Sequence, residues 1–234
     1  GAKMRYMFGG NATVPLVVRA PEGSGTGAAA QHSQSLEAWF AHIPGLKVAV
    51  PSTPEDAKGM LKSAIRDDNP VVFFEQKLLY RKKGPVPEKE YTIPLGKARI
   101  HREGGDLSLI TYGRMLPLCL DIAKELSDEH GIEVEVVDPR TIRPLDRETL
   151  ISSVKKTGRA LIVHEAVTMG GFGGEIAAVL ADSEAFAYLD APIRRAGGLD
   201  VPIPYCPELE KQVVPTHDSV RSAVLELLDW EYGS

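Results

Sequence analysis

Cysteine is nearly missing from this 234-residue chain, which holds only Cys119 and Cys206. Their spacing fits neither a metal site nor a disulfide framework, so a small stapled secreted fold is excluded. Two free thiols suit a reducing compartment such as the cytoplasm. Neither sign of charge is in large excess. A net charge of −5 leaves no broad basic surface, which argues against nucleic acid as a partner. No apolar run reaches membrane-spanning length, so no membrane role is expected. Internal repeats and low-complexity segments are also absent. What remains is 43% hydrophobic and 25% charged, an ordinary soluble composition with enough length for one large core or two modest ones. Residues 1–10 do not read as a signal peptide. Met4, Tyr6, Met7 and Phe8 ahead of Gly9-Gly10 read as mid-domain sequence, so the chain is expected to be the downstream part of something longer. A purification scar at Gly1 is compatible with that.

The pattern along the chain is strand and helix in alternation. Residues 13–18 form a short apolar run, read as a buried strand, and residues 46–50 a second. Thr53-Pro54-Glu55-Asp56 is a strong helix start, with Thr53 as N-cap and Pro54 at the first helical position. Ala57, Met60, Leu61, Ala64 and Ile65 then make one apolar stripe. Asn69-Pro70 ends that helix, and residues 71–74 give a third strand. Apolar strands separated by helices predict a parallel sheet covered on both faces. Residues 80–94 are charged and carry prolines, as an exposed connection would. A second alternation follows, with strands at 107–111, 132–137 and 160–164. Helices are expected at 116–128, at 147–157 behind a cap at Asp146, after the glycine run 170–174, and from Asp218. The fold class is therefore α/β. The expected units are 1–90, a linker over 91–105, and a second α/β domain over 106–234.

One histidine stands out. His32 follows a loop bearing Gly23, Gly25 and Gly27, whose freedom lets the backbone approach something closely. The spacing predicts a helix after His32, capped by Ser33 or Ser35. The partial positive charge of a helix N-terminus would disfavour imidazolium there. A neutral imidazole on a loop can move a proton or polarise a carbonyl, although a lone histidine is more often a capping or packing residue.

Several runs taken together resemble a known family: Ala2-Lys3-Met4-Arg5-Tyr6-Met7, Ala30-Gln31-His32-Ser33-Gln34-Ser35, Pro44-Gly45-Leu46-Lys47-Val48, Pro51 through Gly59, Ser63-Ala64-Ile65-Arg66-Asp67, Asp138 through Pro144, Asp190-Ala191-Pro192 and Asp200-Val201-Pro202. In this order, end to end, they resemble the beta subunit of the thiamine-diphosphate-dependent decarboxylase component of 2-oxo acid dehydrogenase complexes. The pyruvate and acetoin types look nearest. The resemblance implies part of a transketolase-like pyrimidine-binding domain followed by a transketolase-type C-terminal domain. It implies an assembly with an alpha subunit and a second beta subunit, in the cytoplasm or the mitochondrial matrix of a eukaryote. It also implies docking to the peripheral-subunit-binding domain of the lipoyl acyltransferase, where Glu226, Asp229 and Glu231 are candidate contacts.

By the same resemblance His32 is the active-site histidine, assisting substrate binding and acyl transfer to lipoamide. Leu16, Ala64, Ile65, Asp67 and Asn69 match positions around a potassium ion, mostly through backbone carbonyls, with Asp67 supplying charge; a plain helix end and turn is the alternative. The diphosphate is expected to be held through magnesium on the alpha subunit, because no Gly-Asp-Gly motif occurs here. The family glutamate that activates the cofactor lies upstream of the segment matching residue 1, and Glu22, Glu37 and Glu55 are not at its position. The chain alone is therefore expected to be inactive, and a non-catalytic docking module is the alternative reading. Gln76 through Tyr80 looks acetoin-like and Ile203-Pro204-Tyr205 pyruvate-like, so the substrate stays open. His164-Glu165 with the glycine run 170–174 imitates a nucleotide loop but reads better as a structural turn. Arg140 and Arg143 suit ion pairs between domains or subunits. Trp39 and Phe40 suit core or interface, and His42, His101, His130 and His217 suit surface or capping roles.

Overall fold

The computed structural model describes residues 1–230. In chain order the elements are α1 (Met4–Met7), β1 (Val17–Glu22), α2 (Ala29–His32), α3 (Glu37–Ala41), β2 (Lys47–Ala49), α4 (Pro54–Ile65), β3 (Val71–Gln76), β4 (Arg99–Arg102), β5 (Leu107–Thr111), α5 (Met115–His130), β6 (Val134–Asp138), β7 (Thr141–Arg143), α6 (Arg147–Thr157), β8 (Ala160–Val167), α7 (Gly173–Ala181), β9 (Arg194–Gly198), α8 (Pro207–Glu210) and α9 (His217–Leu228). Short 3₁₀ turns cover Lys77–Arg81 and Glu184–Tyr188.

Two sheets form. The first has the order β1-β3-β2-β7 and the second β4-β6-β5-β8-β9. Strands β1, β3 and β2 are parallel, as are β6, β5, β8 and β9. Among the parallel strands, β2, β3, β5, β6 and β8 fall on the runs read from sequence, whereas β9 lies outside them. β3 and β5 are buried along their whole length, as strands covered on both faces must be. α4 begins as expected, with the Thr53 hydroxyl accepting from the Asp56 N–H at 3.1 Å and Pro54 in the first turn. Asp146 caps α6 through Thr149. α9 starts one residue earlier than expected, at His217, and is capped by Thr216 in a reciprocal pair with Ser219.

One expectation is corrected and two features are added. The first strand is not residues 13–18 but Val17–Glu22, and it is a half-exposed edge rather than a buried strand, with Val18 44% exposed. Pro15 offers no N–H to a ladder, and pairing with β3 starts at Val17 opposite Val71. Secondly, β7 comes from the second half of the chain yet pairs antiparallel with β2, closing the first sheet. Thirdly, Arg140 is an interdomain ion-pair residue as read, but it works from inside: at 8% exposed it donates to Asp56 at 3.1 Å.

Candidate active site

The carboxyl ends of the two sheets' parallel strands face each other. Behind β2, the Ser52 hydroxyl accepts from the Gly113 N–H, just beyond β5, at 2.8 Å. Behind β1, the Ser24 N–H donates to Glu165 of β8. Open parallel sheets bind ligands at this edge, where loops diverge and strand dipoles end. His32 sits there, on the loop that leaves β1.

His32 is not at the start of a helix, which corrects the expectation. It ends the one-turn helix α2, and neither Ser33 nor Ser35 caps α3. The Leu36 N–H, which a serine cap would have served, donates instead to the Glu22 carboxylate at 3.3 Å. The argument for neutral imidazole from a positive helix end therefore falls away. The side chain is exposed and has no hydrogen-bond or ion-pair partner among the described residues. The backbone beneath it is firmly held. Lys77 donates to the His32 carbonyl, and Ala29 adopts φ +58°, a left-handed conformation that costs a non-glycine residue about 1–2 kcal/mol. Such conformations persist only where the surroundings enforce them.

The glycine loop approaches protein, not phosphate. A Cβ on Gly25 would lie 2.5 Å from Leu78 Cδ1, and one on Gly23 would lie 2.9 Å from Gln76 Oε1. Its N–H groups point at carboxylates of this same chain. Ser24 donates to Glu165, and Gly25 and Gly27 donate to Glu210. A diphosphate therefore finds no free cradle in this loop.

Under the loop lies a buried polar layer that sequence reading passed over. Glu22 accepts from Gln76 at 2.8 Å, Glu37 accepts from Tyr112 at 2.7 Å, and Glu165 is paired with Arg114. Burial pushes the Glu22 carboxyl well above its usual range, and the nearby Glu37 charge adds to it. Burial likewise raises Glu37. Three acids and one guanidinium in a dry layer favour keeping a proton on the Glu22–Glu37 pair at neutral pH. Tyr112 is held protonated by burial and by Glu37. The one available signal was Glu165, an acid at the end of the apolar run 160–163. Glu22 and Glu37 look like an ordinary strand end and first-turn acid.

The candidate potassium ligands gather where α4 ends, but their carboxylate is already engaged. Asp67 accepts from the Asn69 backbone and side-chain N–H groups, both at 2.9 Å, and is paired with Lys47. Burial would raise its pKa, but Lys47 and Asn69 outweigh this and hold it low. The Leu16 carbonyl accepts from Val71 at 2.9 Å and that of Ala64 from Asp67 at 3.3 Å; Ile65 is exposed. A hard cation here would rely on the spare lone pairs of carbonyls. Elsewhere Asp56, His101 and Asp138 converge within 4.8 Å. His101 is thus a junction residue, not a surface one. Arg140 already supplies positive charge to Asp56 there.

The glycine run 170–174 is a turn at Gly170 and opens α7 at Gly173 and Gly174, and it encloses His164. A Cβ at Gly171, Gly173 or Gly197 would sit 2.4–2.8 Å from that imidazole. Burial depresses the His164 pKa to about 4, with Arg195 adding to the effect. The unfolded chain then takes a proton at pH 6.5 that the folded chain refuses until about pH 4. Stability from this group is therefore lost as pH falls through that window. At about 1.4 kcal/mol per pH unit, the loss is about 3 kcal/mol. Urea midpoints at pH 7 and pH 4.5 should drop less in His164→Gln than in the parent; equal drops would contradict the assignment.

The sequence matches two families along its length: "Transketolase, pyrimidine binding domain" over residues 1–83 and "Transketolase, C-terminal domain" over residues 96–220. The chain is 52% identical to the beta subunit of acetoin:2,6-dichlorophenolindophenol oxidoreductase of Bacillus subtilis, with 97% of this chain covering 66% of that one. It is 47% identical to the 2-oxoisovalerate dehydrogenase beta subunit of the same organism, covering 98% and 70%. It is also 47% identical to the mitochondrial pyruvate dehydrogenase E1 beta subunit of Saccharomyces cerevisiae, covering 98% and 64%. The chain thus spans about two thirds of the length of these curated relatives. Among solved structures, a split-gene transketolase described as an inactive beta4 tetramer aligns with a TM-score of 0.75 at 26% identity, over 92% of this chain and 67% of that one.

Proposed function

We propose, for a chain that belongs to the transketolase-type beta subunits of the 2-oxo acid dehydrogenases, that it forms one side of a decarboxylase site completed by an alpha subunit, with His32 as the acid–base and orienting group. The observation that carries this reading is the exposed, unpartnered imidazole at the carboxyl edge of a parallel sheet, on a backbone held by Lys77 and by residues of the second sheet. Thiamine diphosphate supplies the carbon nucleophile of this chemistry. The glycine-loop amides are occupied by carboxylates, which supports assigning the diphosphate and its Mg2+ to the alpha subunit. His32 would hold the 2-oxo acid and transfer a proton as the acyl group passes to lipoamide.

Residues 1–90 form the cofactor-side unit and 106–234 the second unit of this reading. Exposed apolar side chains on the first half, including Tyr6 at 91% and Trp39 at 71%, suit burial against the alpha subunit and a second beta subunit. Asp67 and the carbonyls of Leu16, Ala64, Ile65 and Asn69 are the place for K+. Glu226 and Asp229 are exposed on and just after α9, where the acyltransferase's peripheral-subunit-binding domain would dock; Glu231 lies outside the described residues. A location in the cytoplasm or the mitochondrial matrix goes with this reading. Pyruvate is the substrate of the first reading. Acetoin is the second, favoured by the 52% identity to an acetoin-linked subunit.

The test is reconstitution of the full-length beta subunit with its alpha subunit, followed by dye-linked turnover of pyruvate, acetoin and 2-oxoisovalerate. The mixture should turn over one of the three, and the 234-residue chain alone none. Activity of the chain alone would overturn the shared site. Binding of the acyltransferase domain with no turnover of any substrate would favour a docking module.

A further inference from the structure

Glu210 lies 185 residues beyond the glycine loop in sequence, yet it accepts from the Gly25 N–H at 2.7 Å and from the Gly27 N–H at 3.2 Å. It ends the four-residue α8 and is only 4% exposed. No cation pairs with it among the described residues, so these N–H groups are what compensate its burial. Glu165 takes the Ser24 N–H in the same way, braced by Arg114, which also donates to the Ser24 hydroxyl at 3.0 Å. Gly23, Gly25 and Gly27 have φ of +90°, +93° and +64°. A loop of this composition has much conformational freedom to lose, and its shape must be imposed from outside. Five residues after Gly27 comes His32, on a turn that begins with the left-handed Ala29.

We propose that Glu210, assisted by Glu165, is a positioning residue for His32: the two carboxylates of the second sheet's domain clamp the loop amides and thereby set where the imidazole stands. The inference rests on the reading of His32 given above. It assigns a role to two acids remote in sequence from the histidine, and it explains why the active-site turn depends on the second domain. A buried carboxylate serving two backbone amides holds a loop in a way that glutamine cannot fully copy, because only one of glutamine's terminal atoms accepts.

The experiment uses the full-length beta subunit assembled with its alpha subunit. Glu210→Ala should lower acyl transfer to a lipoyl substrate by about 10²-fold, the scale of an ångström-level misplacement. KM for the 2-oxo acid, which His32 also holds, should rise severalfold but by less than transfer falls, and Glu210→Gln should fall between the parent and Glu210→Ala. In a His32→Ala background, Glu210→Ala should cost nothing further, because there is no imidazole left to place. Amide exchange at Gly25 and Gly27 should quicken about tenfold or more while global unfolding is preserved. Additive losses in the double variant, or a Glu210→Ala enzyme with normal transfer while His32→Ala is inactive, would overturn the clamp and leave the reading of His32 standing. Normal transfer by His32→Ala would overturn that reading, and the clamp with it. Should Glu210→Ala fail to fold, Glu210→Gln carries the same comparisons.

Discussion

His32→Ala in the assembled enzyme is expected to cut acyl transfer to a lipoyl substrate by about 10²–10⁴-fold, the usual contribution of a positioned proton-transfer group. Stability should barely change, within about 0.5 kcal/mol, because the imidazole is exposed and makes no contact that folding depends on. The backbone that carries it is held by the Lys77 ammonium on the His32 carbonyl and by the loop amides, none of which the substitution removes. Dye-linked decarboxylation should suffer less than transfer, since the dye accepts electrons without a disulfide to orient or a departing sulfur to protonate. His32→Gln would keep a hydrogen-bonding group but no titratable one, so it should restore binding of the 2-oxo acid more than turnover. Single-turnover measurement of the two half-reactions separates these effects. A wild-type transfer rate in His32→Ala would remove this residue from the chemistry.

The inner parallel strands were legible because burial on both faces writes itself as apolar runs, such as Val71–Phe74 and Ala160–Val163; β1 at the edge was misplaced and β9, Arg194–Gly198, has no such run and was not read. α4 and α6 were legible because their caps are local: Thr53 serves Asp56, and Asp146 serves Thr149. What failed was non-local. β7 is three residues long, too short to show a period, and its partner β2 lies more than ninety residues earlier. The turn at His32 misled because Ser33 and Ser35 suit a cap, while the group that meets the Leu36 N–H is Glu22, fourteen residues upstream. The Ser33 hydroxyl is buried instead.

The candidate site divides in the same way. His32 was visible from its loop and from the runs around it. The acids that shape its surroundings were not, because a carboxylate's role depends on what it meets. Glu210 reads as one more charge in Glu208-Leu209-Glu210 until it is found against Gly25. Asp67 read as a charge for a cation and is found against Lys47. Pattern reports which side chains share a face of their own element; it does not report which element that face meets.

Asp56→Ala is expected to destabilise the protein by about 3–5 kcal/mol, the range for removing one partner of a buried ion pair. Asp56 is fully buried and accepts from Arg140 at 3.1 Å and from the Thr53 hydroxyl at 2.5 Å. Arg140 donates in addition to the carbonyls of Lys97 and Ala98, so a single guanidinium ties α4 of the first sheet's layer to the connection leading into the second and to the β6–β7 corner. Taking away Asp56 leaves that guanidinium buried with carbonyls alone, and its own desolvation is then uncompensated. Asp56→Asn keeps the shape and one acceptor and should cost less. The double replacement Asp56→Leu with Arg140→Met removes both charges and should recover much of the loss, as apolar pairs of similar volume do elsewhere. Urea unfolding of the parent, Asp56→Leu, Arg140→Met and the double replacement gives the coupling energy directly. If Asp56→Ala lies within 1 kcal/mol of the parent, water or a neighbouring group such as Asp138 compensates the guanidinium, and the junction is softer than its burial implies. That would matter for the site as well as for the fold. The same junction joins the two sheets whose carboxyl edges meet where Ser24 donates to Glu165.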